Sequence, residues 1–331
     1  MKQTVIIGAG SWGTALAALW AKDGRPISLW GNNAERISRV QSSRENTEYL
    51  PGVQLAENIR AMHELTDCRE AELIVFVTPS IVLREIATRV RDTGVSDNAV
   101  LLSCTKGIEH GSGMRMSEIL STLFPSNPVA VLSGPNLAVE VVRGLPTATV
   151  IGCANENYAI ELQRFLGSEH FRIYTSNDVV SIELGGALKN VFAIAAGVSD
   201  GLGLGDNSKA ALVTRAMAEL LRLGTKMGGN ALTFYGLSGV GDLIATCFSK
   251  HSRNRRVGER LGHAEMLAQI QADMKMVAEG IPTAKSAFEC ARHLGVDTPI
   301  IDQIYAVLYQ DKPLLFAMQE LLGRGPKPER L

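Results

Sequence analysis

The opening of the chain allows few folds. A short apolar run, Thr4-Val5-Ile6-Ile7, leads straight into Gly8-Ala9-Gly10-Ser11-Trp12-Gly13, and a helical pattern begins before those glycines end. Strand, tight glycine turn and helix in immediate succession mark the first βα unit of an open, doubly wound sheet. The glycines allow the turn, a close approach of backbone to a pyrophosphate, and close packing of helix on strand. The helix start offers unpaired N–H groups and the positive end of its dipole, both attractive to phosphate. A dinucleotide held at this turn by Gly8, Gly10 and Gly13 is the expected reading; a purely structural glycine turn is the plainer one.

The first half continues in the same manner. Apolar, β-branched runs at Thr4–Gly8, Ile27–Trp30, Leu73–Val77, Val100–Cys104, Val129–Leu132 and Ala148–Gly152 read as strands buried on both faces. Helical patterns such as Trp12–Lys22, Ser80–Arg91 and Met114–Leu123 lie between several of them, so a parallel sheet with helices on both faces is expected. After Ser176-Asn177-Asp178 strands give way to helices: Val179–Val198, Ser208–Met227, Ala264–Met276, Ala284–Leu294 and Leu315–Leu322. The expected architecture is an α/β Rossmann-like domain over residues 1–177 and an all-α substrate-binding and catalytic domain over residues 178–331. Two domains also suit a length of 331 residues. The tail Gly323–Leu331, with two prolines, is expected to fray.

Composition mainly excludes. A net charge of -1 gives no field to draw nucleic acid or an anionic membrane. No unbroken apolar run reaches the roughly 20 residues a membrane-spanning helix needs. The start of the chain has no basic segment and no signal-type apolar region, and the five cysteines are scattered with no C-x-x-C pair. A cytoplasmic protein with reduced thiols is expected. Six histidines without metal-ligand spacing predict no metal site.

Hydride transfer to a carbonyl needs a cofactor, a proton donor, a group that polarises the oxygen and an anchor for the substrate. The second strand ends in Trp30-Gly31-Asn32-Asn33, without the acidic residue that would hold a ribose 2′-hydroxyl. NADP(H) is therefore expected to be accepted alongside NAD(H), with Arg36 either as the cation for a 2′-phosphate or as an ordinary solvated residue. Lys106 follows an apolar strand in a glycine-flanked loop. Lys189 interrupts the apolar stretch Leu184–Ala196. A lysine there either snorkels to water or is desolvated, and desolvation lowers its pKa toward the range an acid–base catalyst needs. Gly239-Val240-Gly241-Asp242 is followed by Ser249-Lys250-His251-Ser252-Arg253-Asn254-Arg255-Arg256, a basic cluster suited to a phosphate. It is short and lacks the interleaved aromatics of a nucleic-acid surface. A small phosphorylated carbonyl compound fits these groups.

Over nearly its whole length the sequence resembles the bacterial NAD(P)-dependent glycerol-3-phosphate dehydrogenase family. The likeness rests on Gly8–Leu16, Thr105-Lys106-Gly107-Ile108, Ser133-Gly134-Pro135 with Glu140-Val141, and Arg143–Ala148. It continues through Gly185–Lys209, Gly239–Leu243, Ser252–Arg256 and Val277–Gly280. It implies reversible reduction of dihydroxyacetone phosphate to sn-glycerol 3-phosphate, supplying glycerophospholipid synthesis, by an enzyme that is a homodimer in the family. It implies Lys189 as the proton-exchanging residue and Lys106 in contact with both cofactor and substrate. Gly134, Asn136, Asp242, Ser252, Arg253 and Asn254 fall where the family lines its substrate pocket. Ser11, Trp12, Asn32, Tyr49, Ala138, Arg253, Val277 and Glu279 fall where it holds the dinucleotide. Asn136 stands in place of the family's usual hydroxyl residue, and Asn32 in place of a frequent basic one.

The expected mechanism has Lys189 donating a proton, Lys106 stabilising charge on the carbonyl oxygen, Asp242 orienting the substrate hydroxyl or a lysine, and Arg253 with Asn254 holding the phosphate. Lys189 is expected to face the nicotinamide across the crevice between the domains. The alternatives are a related two-domain dehydrogenase of a carboxylated ketone and a non-catalytic NAD(P)H-binding redox sensor.

Overall fold

The computed structural model describes residues 3–325, 328 and 329. The chain divides into two compact units, Met1–Thr105 with Met116–Val179, and Lys106–Arg115 with Val180–Leu331. The chain therefore crosses between units three times, because the ten residues after the fifth strand pack with the helical unit rather than the sheet. The expectation for the tail Gly323–Leu331 falls in part on residues 326, 327, 330 and 331, outside the described ones.

In the first unit eight strands form one sheet: β1 (Thr4–Ile7), β2 (Ile27–Trp30), β3 (Ile59–Met62), β4 (Leu73–Phe76), β5 (Val100–Ser103), β6 (Val129–Ser133), β7 (Thr147–Cys153) and β8 (Phe171–Ser176). Their order is β3-β2-β1-β4-β5-β6-β7-β8. Ile6 of β1 pairs with Leu29 on one side and Val75 on the other, both parallel. β1, β2, β4 and β5 are wholly buried, as strands covered on both faces require. The sheet is not parallel throughout, which corrects the sequence expectation: β7 runs antiparallel to β6. The segment between them holds only a five-residue helix and turns back instead of crossing a face of the sheet. β3 and β8, at the two edges, escape the sequence reading because exposed Arg60, Arg172 and Tyr174 break up their apolar runs. Six α-helices complete the unit among the described residues: α1 (Ser11–Trp20), α2 (Ala34–Ser43), α3 (Leu83–Arg91), α4 (Met116–Leu123), α5 (Ala138–Val142) and α6 (Glu156–Leu166).

The second unit is helical: α7 (Val179–Gly201), α8 (Gly205–Lys226), α9 (Ala231–Phe234), α10 (Asp242–Phe248), α11 (Arg253–Gly262), α12 (Leu267–Asp273), α13 (Gly280–Leu294), α14 (Pro299–Tyr309) and α15 (Leu314–Leu322). Every residue of α7 from Ser181 to Ser199 is buried, so the other elements are built around it. By length and mean hydropathy α7 could cross a membrane, although Glu183 and Lys189 interrupt its apolar run. Here 89% of its apolar window is buried inside the protein, the condition of a core helix. Residues 231–248 also pass that test, with 39% buried.

Glycines set how closely α7 is approached. A Cβ on Gly258 would lie 1.9 Å from the Ile194 carbonyl oxygen, and one on Gly197 would lie 1.9 Å from that of Arg255. α7 and α11 thus cross in backbone contact, a separation open only to residues without side chains. The segment 106–115 is fastened to the same unit by buried Ile108, by the Arg115–Glu183 ion pair at 2.6 Å and by the His110–Glu289 contact at 2.8 Å.

Candidate active site

The glycine turn of the first unit has the form expected of a phosphate cradle. Gly8 has φ +127°, in the region that favours glycine, and a Cβ there would meet the Val77 carbonyl oxygen at 2.6 Å. A Cβ on Gly13 would lie 1.9 Å from the Gly8 carbonyl oxygen, so α1 can press on the turn only through glycine. Among the described residues nothing lies within 4 Å of a Cβ added at Gly10, at the start of α1. No side chain among the described residues caps that helix, and its first turn carries no acid. The N–H groups and dipole end are left for an anion. The hydroxyls of Thr78, Ser103 and Ser133, at the carboxyl ends of β4, β5 and β6, are buried without a hydrogen-bond partner among the described residues. This edge, with its neutral, open turn and its unsatisfied hydroxyls, fits a dinucleotide.

Asn46 carries no motif in the sequence, yet it holds the turn in shape. Its buried amide donates to the Ala9 carbonyl at 3.0 Å and to Thr14 Oγ1 at 2.8 Å, tying the loop after α2 to the glycine turn. Asn46→Leu is expected to weaken NADPH binding by roughly 30-fold, since a net hydrogen bond is worth about 1 kcal/mol and two are removed. Fluorescence titration checks this, and unchanged affinity would show that the turn keeps its shape unaided.

Around β2 the expected groups divide. Asn32 Oδ1 accepts from Arg89 Nη1 at 3.3 Å. Arg36 is engaged with Glu48 at 2.8 Å and lies over the Tyr49 ring at 4.8 Å. The Trp12 ring sits 6.5 Å from that of Phe171. Gly134 follows β6 with φ +150°, and Asn136 turns its amide to donate to Thr149 Oγ1 at 2.9 Å. Ala138 begins α5.

The second unit gathers the acid–base groups. Asp242, the first residue of α10, has its side chain 3% exposed and lies between two ammonium groups. Lys106 Nζ donates to its Oδ2 at 2.6 Å, and Lys189 Nζ lies 3.1 Å from its Oδ1. Lys189 also donates to Thr246 Oγ1 at 2.7 Å, and that hydroxyl donates to Asp242 Oδ1 at 3.1 Å. Thr246 stands one helical turn beyond Asp242, on the same face, a spacing that reveals it once α10 is known to be a helix. The snorkelling alternative for Lys189 is excluded, because the residue is only 7% exposed. Burial lowers its pKa to about 8; Asp242 opposes the shift and Lys106 adds to it. Burial would raise the Asp242 carboxyl, but the two ammonium groups outweigh it and hold the pKa below the ordinary carboxylate value.

Beside this cluster three amides link three helices. Asn254 Nδ2 donates to Asn190 Oδ1 at 2.8 Å, and Gly280 N donates to Asn254 Oδ1 at 2.9 Å. Asn190 Nδ2 donates back to the Gly186 carbonyl at 3.3 Å. Ser252 Oγ caps α11 by accepting from Arg255 N at 3.2 Å. Arg253 is exposed in the first turn of α11, whereas Arg255 is buried on Asp200 at 2.6 Å and serves the structure. Val277 is exposed and Glu279 half-buried just before α13. Among the described residues no group of three or more His, Cys, Asp or Glu could hold a metal.

A carboxylate that fixes two lysines, one tuned close to neutrality, is equipped to move a proton at an oxygen while a second cation steadies the charge. Comparison with known proteins gives the family. Residues 3–159 match the family described as NAD-dependent glycerol-3-phosphate dehydrogenase N-terminus, and residues 178–319 match its C-terminus. A protein from Geobacter metallireducens named glycerol-3-phosphate dehydrogenase [NAD(P)+] is 45% identical over 329 residues, covering 98% of each chain. One of the same name from Corynebacterium glutamicum is 44% identical over 99% of this chain and 100% of its own. The crystal structure of a glycerol-3-phosphate dehydrogenase from Coxiella burnetii superposes with a TM-score of 0.94 at 36% identity, covering 98% of this chain and 99% of that one. With both halves matched and relatives aligned from end to end, the chain belongs to the NAD-dependent glycerol-3-phosphate dehydrogenase family.

Proposed function

We propose that this chain reversibly reduces dihydroxyacetone phosphate to sn-glycerol 3-phosphate with NADPH or NADH. The observation that carries the reading is the Asp242 carboxylate gripping Lys106 and Lys189, with Thr246 closing the ring. Lys189 protonates the carbonyl oxygen as it becomes an alkoxide. Lys106, held on Asp242 at 2.6 Å, stabilises the developing negative charge. Asp242 and Thr246 orient the Lys189 amine and hold it in place. A bound dihydronicotinamide supplies the hydride. Ser252, Arg253 and Asn254, at the start of α11, take the phosphate, with Gly134 and Asn136 as further substrate contacts. Gly8, Gly10, Ser11, Trp12, Gly13, Asn32, Tyr49, Lys106, Ala138, Arg253, Val277 and Glu279 hold the dinucleotide. On this reading the protein works in the cytoplasm as a homodimer and supplies glycerophospholipid synthesis; its five free cysteines suit a reducing compartment.

The test is oxidation of NADPH and NADH by the pure protein with dihydroxyacetone phosphate, and in parallel with ketopantoate. Turnover with the phosphorylated ketone alone supports the reading. Turnover with the carboxylated ketone alone supports the rival dehydrogenase, and tight dinucleotide binding without turnover supports a sensor.

The pH dependence has a definite sign. Ketone reduction requires protonated Lys189, whose amine titrates at about 8. The kcat/KM for reduction should be level near pH 7 and fall about tenfold per pH unit once well above the pKa, while that for alcohol oxidation rises through the same region. Profiles of both directions measure this; a reduction rate that stays level to pH 10 would remove Lys189 as the acid.

A further inference from the structure

We propose that Arg89, on α3, is the residue by which this chain recognises the adenosine 2′-phosphate, so that NADP(H) is preferred to NAD(H). The inference rests on the dinucleotide reading of the glycine turn and deepens it. NADP differs from NAD by one dianionic group on the ribose, which in sheets of this type lies beyond the carboxyl end of β2. A cation there discriminates between the two, and a carboxylate there reverses the choice. The segment that follows β2, Gly31-Asn32-Asn33, has neither.

The obvious cations are already committed. Arg36 pairs with Glu48 at 2.8 Å, and Arg39, the other arginine of α2, pairs with Glu35 at 2.6 Å. Asn33 Oδ1 accepts from the Arg36 backbone N–H at 2.8 Å and so caps α2. Arg89 comes from a distant part of the sequence and is exposed. Its Nη1 donates to Asn32 Oδ1 at 3.3 Å, and its guanidinium lies over the Trp30 ring at 5.4 Å from the centroid. That ring is 1% exposed and fixed by its own donation to the His63 carbonyl at 2.6 Å. Arg89 has no carboxylate partner among the described residues.

This is a guanidinium set on a rigid aromatic base, steered to the end of β2 by one hydrogen bond, with its remaining N–H donors and its full charge unspent. Such a fork suits a phosphate bidentately, and its pre-organisation reduces the cost of ordering it on binding. The Asn32 amide, its oxygen engaged by Arg89, keeps its NH2 to donate to the same phosphate. Asn32 therefore works by placing an arginine carried elsewhere in the chain.

The experiment is isothermal titration of wild type, Arg89→Gln, Arg89→Lys and Arg36→Gln with 2′,5′-ADP and with 5′-AMP, followed by NADPH and NADH. Wild type should prefer the 2′-phosphorylated member of each pair. Arg89→Gln should lose roughly 10- to 100-fold of affinity for that member and under about 3-fold for the other, with Arg89→Lys intermediate. Arg36→Gln should keep the preference. Three results overturn the proposal: equal losses for both members of a pair, which make Arg89 a support for the adenine; a preference erased by Arg36→Gln; or no 2′-phosphate preference in wild type. All readouts are binding, so absence of ketone turnover would sink the functional reading and leave this one standing.

Discussion

Lys189→Met is expected to lower kcat for reduction of dihydroxyacetone phosphate by about 10³-fold, within the range lost with a general acid, and to change NADPH affinity by less than about 3-fold. Methionine nearly matches the lysine stem and suits the apolar interior of α7, so the helix should keep its place. Asp242 would retain Lys106 at 2.6 Å, which avoids leaving a buried carboxylate without a cation. What disappears is the buried amine whose pKa is lowered to about 8. Lys189→Arg should not restore turnover, because a guanidinium keeps its proton throughout the working range. Steady-state kinetics with a parallel fluorescence titration separate the proton donor from a residue that merely supports binding. A kcat within tenfold of wild type in Lys189→Met would move the acid role to Lys106 or to water.

The second large effect concerns the helix crossing that assembles the site. Gly258→Val should destabilise the protein by more than about 3 kcal/mol, as overpacking against rigid backbone does at the upper end of its range. The new side chain would begin 1.9 Å from the Ile194 carbonyl oxygen and 2.8 Å from the Val198 nitrogen, atoms that cannot rotate away. To relieve the clash α11 must part from α7, which stretches the Asn254–Asn190 hydrogen bond of 2.8 Å and shifts Arg253 with it. Any fraction that folds should therefore bind the phosphorylated substrate poorly. Arg256→Ala, an exposed change on the same helix, serves as the control and should fall within about 0.5 kcal/mol of wild type. Urea unfolding followed by circular dichroism gives both values. A wild-type midpoint in Gly258→Val would mean that the crossing is not as tight as its geometry indicates.

Parts of the site that lie within a few consecutive residues were open to sequence reading. The turn at Gly8–Gly13 depends on its own strand, its own helix start and the lack of side chains, all local properties. The burial of Lys189 was foreshadowed by the apolar residues around it, since a helix apolar on every face has nowhere to reach water. The buried strands were evident for the same reason, whereas the edge strands β3 and β8 were hidden by Arg60, Arg172 and Tyr174. The antiparallel turn of β7 was also hidden, because an apolar run looks the same in either direction. Asn46, Thr246 and Arg89 gave no sign. Asn46 and Arg89 act on residues far from them in sequence, and Thr246 meets Asp242 only because the chain between them is helical.

From its sequence alone this chain could be read as a nucleotide-binding sheet followed by a helical half, with the phosphate turn and two lysines suited to carbonyl chemistry. The reason is that hydrophobic period, glycine geometry and side-chain chemistry act over neighbouring residues. Only the tertiary structure decided that one carboxylate holds both lysines, that Arg36 is bound to Glu48 while Arg89 has no counter-charge among the described residues, and that α7 and α11 meet backbone to backbone. Charge pairing, desolvation and steric contact depend on distance in space, and distance along the chain does not report it.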